Sequence, residues 1–329
     1  MKIRHLLTTF ILLVLLPVSL SGCQKVPVPQ DAKAGRHVPD GSGGQKTSTQ
    51  PTELFGPPSN VGVLEDRMID ESSGIVASRT TPGMYWTHND SGDGPFIYAL
   101  DDRGHSRGVW RVTGATADDW EDIAAGPGPI AGTNYLYIGD IGDNGGERKQ
   151  ITVYRVPEPI ITAAEQGSKK SNAQLTEAAE ALRLRYPDGK HDAEALLVHP
   201  VTGKIYIITK IEFGNPRVYE ADPAQGSAGV ITLTRVGELN VPTVFGGMIT
   251  GGDISPDGLR VALCDYVQGY EIALPDSSTE FNRIWKQPLI PIALGQREQG
   301  EAIGYRLDGK ALIATSEGKH SPLIQVVRR

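Results

Sequence analysis

Cysteine is nearly missing: the 329 residues hold two, Cys23 and Cys264. A disulfide framework is therefore excluded as a source of stability. Basic charge is also short, with 32 Lys and Arg against 39 Asp and Glu, a formal net charge of −7. No basic patch offsets that balance, so nucleic acid is not an expected partner. Motifs of nucleophilic and zinc hydrolases are missing as well: there is no Gly-x-Ser-x-Gly, no His-Glu-x-x-His and no phosphate-cradling glycine loop. Aromatic residues make up 6% of the chain, and no aromatic strip for sugars is evident. Trp86, Trp110 and Trp120 read instead as packing between structural units. Cys264 lies in the apolar run Val261-Ala262-Leu263-Cys264 and is expected to be a small buried hydrophobe rather than a reactive thiolate.

Long apolar runs are absent too. Phe10 to Val18, preceded by Lys2 and Arg4, is too short to span a bilayer comfortably and suits a cleavable signal peptide over residues 1–22. The ending Leu20-Ser21-Gly22-Cys23 resembles the lipobox of bacterial lipoproteins. That resemblance implies acylation of Cys23 and a lipid-anchored protein of the cell envelope, held to the membrane by its N-terminus. Gln24, rather than aspartate, fits outer-membrane sorting if the host is a Gram-negative bacterium of the enteric type. Residues 23–58 are rich in Pro, Gly, Ser, Thr, Lys and Gln, a composition that buries too little surface to offset its ordering entropy, so a flexible tether is expected. Residues 59–329 remain for a single all-β domain.

That domain is repetitive. Five segments share an acidic or small polar residue followed by an aliphatic run: Glu71-Ser72-Ser73-Gly74-Ile75, Trp120 to Ala124, Asp192 to Leu196, Gly252 to Ser255 and Gly300 to Ile303. Each leads through a turn, such as Pro82-Gly83, Thr202-Gly203 or Asp308-Gly309, into a second strand-like run. A third strand follows in every unit. Fourth strands are expected at 108–112, 182–186, 233–239 and 283–286 in the first four units. A period of roughly 50 residues is that of four-stranded propeller blades. The fifth unit lacks a fourth strand, which Val61 to Leu64 can supply, closing the ring by pairing both ends of the domain. The fold class is thus an all-β propeller of five four-stranded blades. One excursion, in the second unit, contains the Ala/Glu-rich stretch 173–181, expected to be a short helix.

Blade topology turns the repeat into a site. The first strand lines the central channel, and its start shares a face with the end of the second strand. The first-strand starts supply Ser73 (or Glu71), Glu121, Glu194, Asp253 and Glu301. The second-strand ends supply Asp90, Asp140, Lys210, Asp265 and Glu317. Crowded carboxylates repel and take up protons unless a cation neutralises them. Oxygen ligands without imidazole or thiolate suit Ca²⁺. The loops Asn89 to Gly94 and Gly139 to Asn144 share an Asp-x-Gly-Asp core, yet neither is an EF-hand; Asx-turn chemistry explains them adequately, the alternative being additional metal or substrate contacts at the channel mouth. His88 and His191 border this region.

Glu71-Ser72-Ser73-Gly74-Ile75 with Tyr98-Ala99-Leu100-Asp101, and Asp119-Trp120-Glu121-Asp122-Ile123-Ala124, resemble the first two repeats of the SdiA-regulated family of bacterial propellers. The order of acids also resembles the five-bladed calcium-activated nucleotidases, or apyrases, where calcium sits in the central channel. This resemblance implies calcium contacts at Ser73, Glu121, Glu194, Asp253 and Glu301, although Asp253 stands where the apyrase pattern has serine. The tryptophan- and lysine-bearing active-site loop of apyrases is not found. Two functions follow as expectations. One is a calcium-centred binding module on the envelope, docking an envelope protein. The other is a metal-dependent hydrolase of phosphoesters or phosphoanhydrides acting on a small phosphorylated ligand, in which Lys210 offsets phosphate charge and Asp140 or Glu317 positions water. A glycosidase with paired carboxylates is a third, less favoured reading.

Overall fold

A computed structural model describes residues 54–225, 229–242 and 247–329. Cys23, the signal segment and nearly all of the expected tether lie outside the described residues. Strand β1 (Ser59–Val63) precedes the first blade, which contains β2 (Ser72–Ala77), β3 (Met84–Asn89), β4 (Phe96–Asp101) and β5 (Ser106–Thr113). Blade two begins with β6 (Trp120–Pro127), β7 (Asn134–Asp140) and β8 (Ile151–Pro157). After an excursion containing β9 (Gln174–Ala178), it is completed by β10 (Glu180–Arg185). Blade three has β11 (Ala193–Val198), β12 (Ile205–Thr209), β13 (Arg217–Ala221) and, after the two-residue β14 (Ile231–Thr232), β15 (Thr234–Glu238). Blade four runs β16 (Gly251–Ile254), β17 (Arg260–Cys264), β18 (Gly269–Ala273) and β19 (Ile290–Ile292). Blade five runs β20 (Gly300–Tyr305), β21 (Ala311–Ser316) and β22 (Pro322–Val327), with β1 as its outer strand.

The five-bladed propeller is thus closed as the repeat anticipates. β1 pairs antiparallel with β22, Ser59 opposite Gln325 and Val63 opposite Pro322. First strands are buried along their whole length, as in β2 and β11, because each is flanked by neighbouring blades on both faces. The turns between first and second strands use left-handed glycines such as Gly258 (φ 73°) and Gly309 (φ 65°), a conformation costly for other residues. Five apolar clusters fill the five gaps between adjacent blades. The one between blades one and two contains Trp86, Trp110 and Trp120, with the first two rings edge to face at 4.9 Å.

Three local expectations differ. The stretch 173–181 is not helical: β9 runs parallel to β5, with Trp110 opposite Gln174, and β10 begins at Glu180. Thr113 donates its N–H to Thr176 Oγ1 at 3.0 Å and its hydroxyl to the Thr176 carbonyl at 2.8 Å. The open edge of blade one overrides the helical propensity of Ala and Glu. Residues 283–286 are not the outer strand of blade four but part of a 3-10 helix, Phe281–Lys286. It buries Ile284 and Trp285 in the core between blades three and four, and β19 pairs in its place. Finally, contacts of the propeller start before residue 59: the Gly56 N–H donates to the Val327 carbonyl at 2.8 Å, and Phe55 packs against the core between blades four and five. Backbone pairing with the end of the chain, including the Arg329 N–H donating to the Leu54 carbonyl at 2.8 Å, joins the Phe55 side chain in holding that part of the Pro-rich stretch on the fold.

Candidate metal centre

The same irregularity recurs at the start of four first strands. Pairing slips between Ser72 and Gly74, Trp120 and Asp122, Ala193 and Ala195, and Gly300 and Ala302. The extra residues in these bulges are Ser73, Glu121, Glu194 and Glu301. A bulge re-aims the side chain it carries, and here it delivers three glutamates to one mouth of the channel. All three are buried, at 3%, 5% and 4% exposure.

Around Glu121 the carboxylates converge. Oxygens of Asp90, Asp119 and Glu121 all lie within 4.8 Å of one another. Gly142 backs onto this group so closely that a Cβ there would fall 2.1 Å from Glu121 Oε1 and 2.4 Å from Asp119 Oδ2. Burial raises Glu121 well above the ordinary carboxylate range, with Glu194, Asp90 and Asp119 adding repulsion. Burial likewise pushes Asp90 up to about 6, with Asp119 and Glu317 contributing and the Ser91 N–H pulling the other way. Glu194 is pushed up to about 8 by burial while Lys210 pulls it down. Lys210 forms an ion pair with Glu194 Oε1 and lies 5.3 Å over the Tyr266 ring. Glu301 reaches about 9 through burial, offset by the Gln299 amide, which donates to Glu301 at 2.7 Å and to Glu317 at 2.9 Å. The second oxygens of Glu194 and Glu301 are buried without a hydrogen-bond partner. Buried carboxylate oxygens are normally satisfied, so this donor set fits a hard cation: all oxygen, crowded, and partly orphaned.

Other candidates are placed differently. Ser73 sits at its bulge, but its hydroxyl donates to the Glu121 carbonyl at 2.6 Å. Blade four has no bulge; there Thr250 occupies the corresponding place, its N–H donating to the Cys264 carbonyl at 2.9 Å. Asp253 lies three residues further along β16, roughly 10 Å deeper at about 3.3 Å per residue. Its carboxylate accepts the N–H groups of Ile254 and Tyr305, each at 2.8 Å, and burial raises it to about 7. Asp140 pairs with Arg148 at 2.7 Å and accepts the Asp118 and Asp119 N–H groups. Asp265 accepts from Val267, Gln268 and Tyr270. His88 is fully buried, edge-on to Trp120, and burial lowers it to about 4. His191 belongs to an outer network with Asp188 and Tyr219. Cys264 is buried, and burial pushes its thiol up to about 11.

Two site residues are absent from both sequence rings. Asp119 stands two residues before Glu121, and its carboxylate gathers with those of Asp90 and Glu121. Asp122, the next acid along, turns into the channel: its Oδ2 accepts the N–H of Leu196 at 2.9 Å and of Gly252 at 3.3 Å, tying blade two to blades three and four. The Asp-Trp-Glu-Asp run was the available signal, since four such residues cannot all face one way on a regular strand.

No family model matches the chain, and no curated protein matches it in sequence. Among solved structures, a gluconolactonase from Xanthomonas campestris is similar at a TM-score of 0.41 and 11% identity, covering 85% of this chain and 99% of that one. Hydrazine synthase from Kuenenia stuttgartiensis is similar at a TM-score of 0.40 and 11% identity, covering 78% and 83%.

Proposed function

We propose that the protein is a lipid-anchored module of the cell envelope whose propeller is centred on a hard divalent cation, Ca²⁺ in preference to Mg²⁺, and which works by binding a partner. The observation that carries this reading is the Asp90–Asp119–Glu121 cluster beside the partnerless oxygens of Glu194 and Glu301. Ca²⁺ accepts six to eight oxygens in flexible geometry, whereas Mg²⁺ asks for near-octahedral ligands and keeps its waters. The anchor rests on Leu20 to Cys23.

The alternative, a phosphoester or phosphoanhydride hydrolase using Lys210, Asp140 and Glu317, has less support. Lys210 is committed to Glu194, Asp140 to Arg148, and Glu317 to the Gln299 amide. Asp122 also bridges three first strands across the channel, which limits its depth.

Thermal unfolding in chelator, then with Ca²⁺ or Mg²⁺ restored, tests the reading. Ca²⁺ at a hundredfold excess over its dissociation constant is expected to add about 2.7 kcal/mol of stability, with Mg²⁺ adding less. An unfolding curve indifferent to every divalent ion sinks the cation centre. Turnover of a phosphoester or nucleotide in the Ca²⁺-loaded protein transfers the assignment to the hydrolase.

A further inference from the structure

Beside the acidic mouth, the gap between blades four and five opens into a cavity of about 670 Å³. Its walls come from the loop after β17, the connection from β19 to β20, and the turn from β21 to β22. Tyr266, Val267 and Pro322 give it apolar surface, and Val267 is 66% exposed.

Arg297 is the unusual group in this wall. Its guanidinium rests over Gly300, where a Cβ would fall 2.1 Å from Arg297 Cζ, so the glycine makes room for it. It donates to two backbone carbonyls, Asp265 at 3.2 Å and Thr315 at 3.5 Å, while its Nε is buried without a partner. Among the described residues no carboxylate forms an ion pair with it. The lining is balanced in formal charge, Arg297 and Lys319 against Glu298 and Glu317. Glu317 is nonetheless held by Gln299, and Lys319 reaches out to Asp70 at 3.7 Å. The guanidinium thus meets only the two carbonyls and the Cys264 thiol, and its charge has no carboxylate in ion-pair contact although Glu298 also lines the cavity. Such a group pairs best with a carboxylate or phosphate, by parallel charge-assisted hydrogen bonds.

Two further features gather in the same wall. Ser321 is 4% exposed and its hydroxyl has no partner. Next to it, His320 stands at φ 57°, the sole non-glycine residue with positive φ among the described ones. Unpaired buried donors and backbone strain both collect where a ligand is to be met. We infer that this cavity binds a small organic anion, its carboxylate or phosphate seated against Arg297 and its apolar body between Tyr266, Val267 and Pro322. The inference does not depend on the cation centre.

Benzoate and phenyl phosphate are suitable probes, titrated into the protein in chelator so that the cation centre contributes nothing. Protein-observed NMR is expected to show at least one of them binding with a Kd on the order of 1 mM, as befits so small a ligand. Which probe binds distinguishes a carboxylate site from a phosphate site. Arg297→Gln is expected to weaken binding about tenfold or more, the worth of a charged hydrogen bond. Gln296→Trp, at an exposed position on the rim, is expected to block the cavity with no change in folding. The inference is overturned if neither probe binds, or if binding persists unchanged in the folded Gln296→Trp protein.

Discussion

Burial and mutual repulsion push Glu194 to about 8 and Glu301 to about 9, above the ordinary glutamate value of 4.5. In the cation-free protein these groups bind protons more tightly folded than unfolded. The folded state therefore holds more protons between about pH 4.5 and 9, and stability must fall as pH rises across that window. Saturating Ca²⁺ is expected to flatten the slope by taking the place of the protons. Thermal midpoints in chelator from pH 5 to 9 read this directly; midpoints that climb with pH contradict it. Glu121→Gln removes one charge from the crowd. It is expected to raise the chelated protein's stability by about 1 kcal/mol at pH 8 while abolishing the response to Ca²⁺. The glutamates at the bulges were legible in sequence because each stands just before a short aliphatic run, at once for Glu194 and Glu301 and after Asp122 for Glu121. Asp253 has the same local look, yet Gly251 and Gly252 belong to the strand before it, so counting back from the turn places Thr250 at the mouth. A one-dimensional pattern does not reveal which residue pairs with which.

At the scale of elements, blades one and two are fastened on the opposite side from the acidic mouth by Glu158, just after β8. Its carboxylate accepts from Ser78 at 2.5 Å, Thr80 Oγ1 at 2.9 Å, Trp86 Nε1 at 2.9 Å, and the N–H groups of Arg79 and Thr80. Truncation leaves these donors facing a hole. Glu158→Ala is expected to lower the urea midpoint with an unchanged slope, a loss of about 3–5 kcal/mol. A loss below about 1 kcal/mol shows that water replaces the carboxylate. The element errors share a cause. Local propensity favours a helix at residues 173–181 and the spacing of the repeat a strand at 283–286, whereas the free edge of β5 and the apolar gap between blades three and four decide their structure. First and second strands, buried by repetition, left clearer traces than outer strands, which carry fewer apolar residues.

For the whole molecule, the ring is joined at one place, the pairing of β1 with β22. Deleting residues 1–64 uncovers the edge of β22 and removes Leu64 from the core between blades five and one. The truncated protein is expected to lose its single cooperative transition and to self-associate, as size-exclusion chromatography would show. A monomer with the parent's midpoint places the closure elsewhere. The five-fold plan was readable because the repeat was, and the closing strand because one unit was incomplete.

The same seam has a meaning in time. Ser59 and Gln325 are hydrogen-bonded across 266 positions of chain, so the first strand made is the one that must wait longest for its partner. Until β22 arrives, an incomplete ring carries two raw edges at once, and both invite pairing with another copy. Slow, crowded or interrupted synthesis therefore prolongs the time in which this protein can mispair, a hazard that closure of the ring removes.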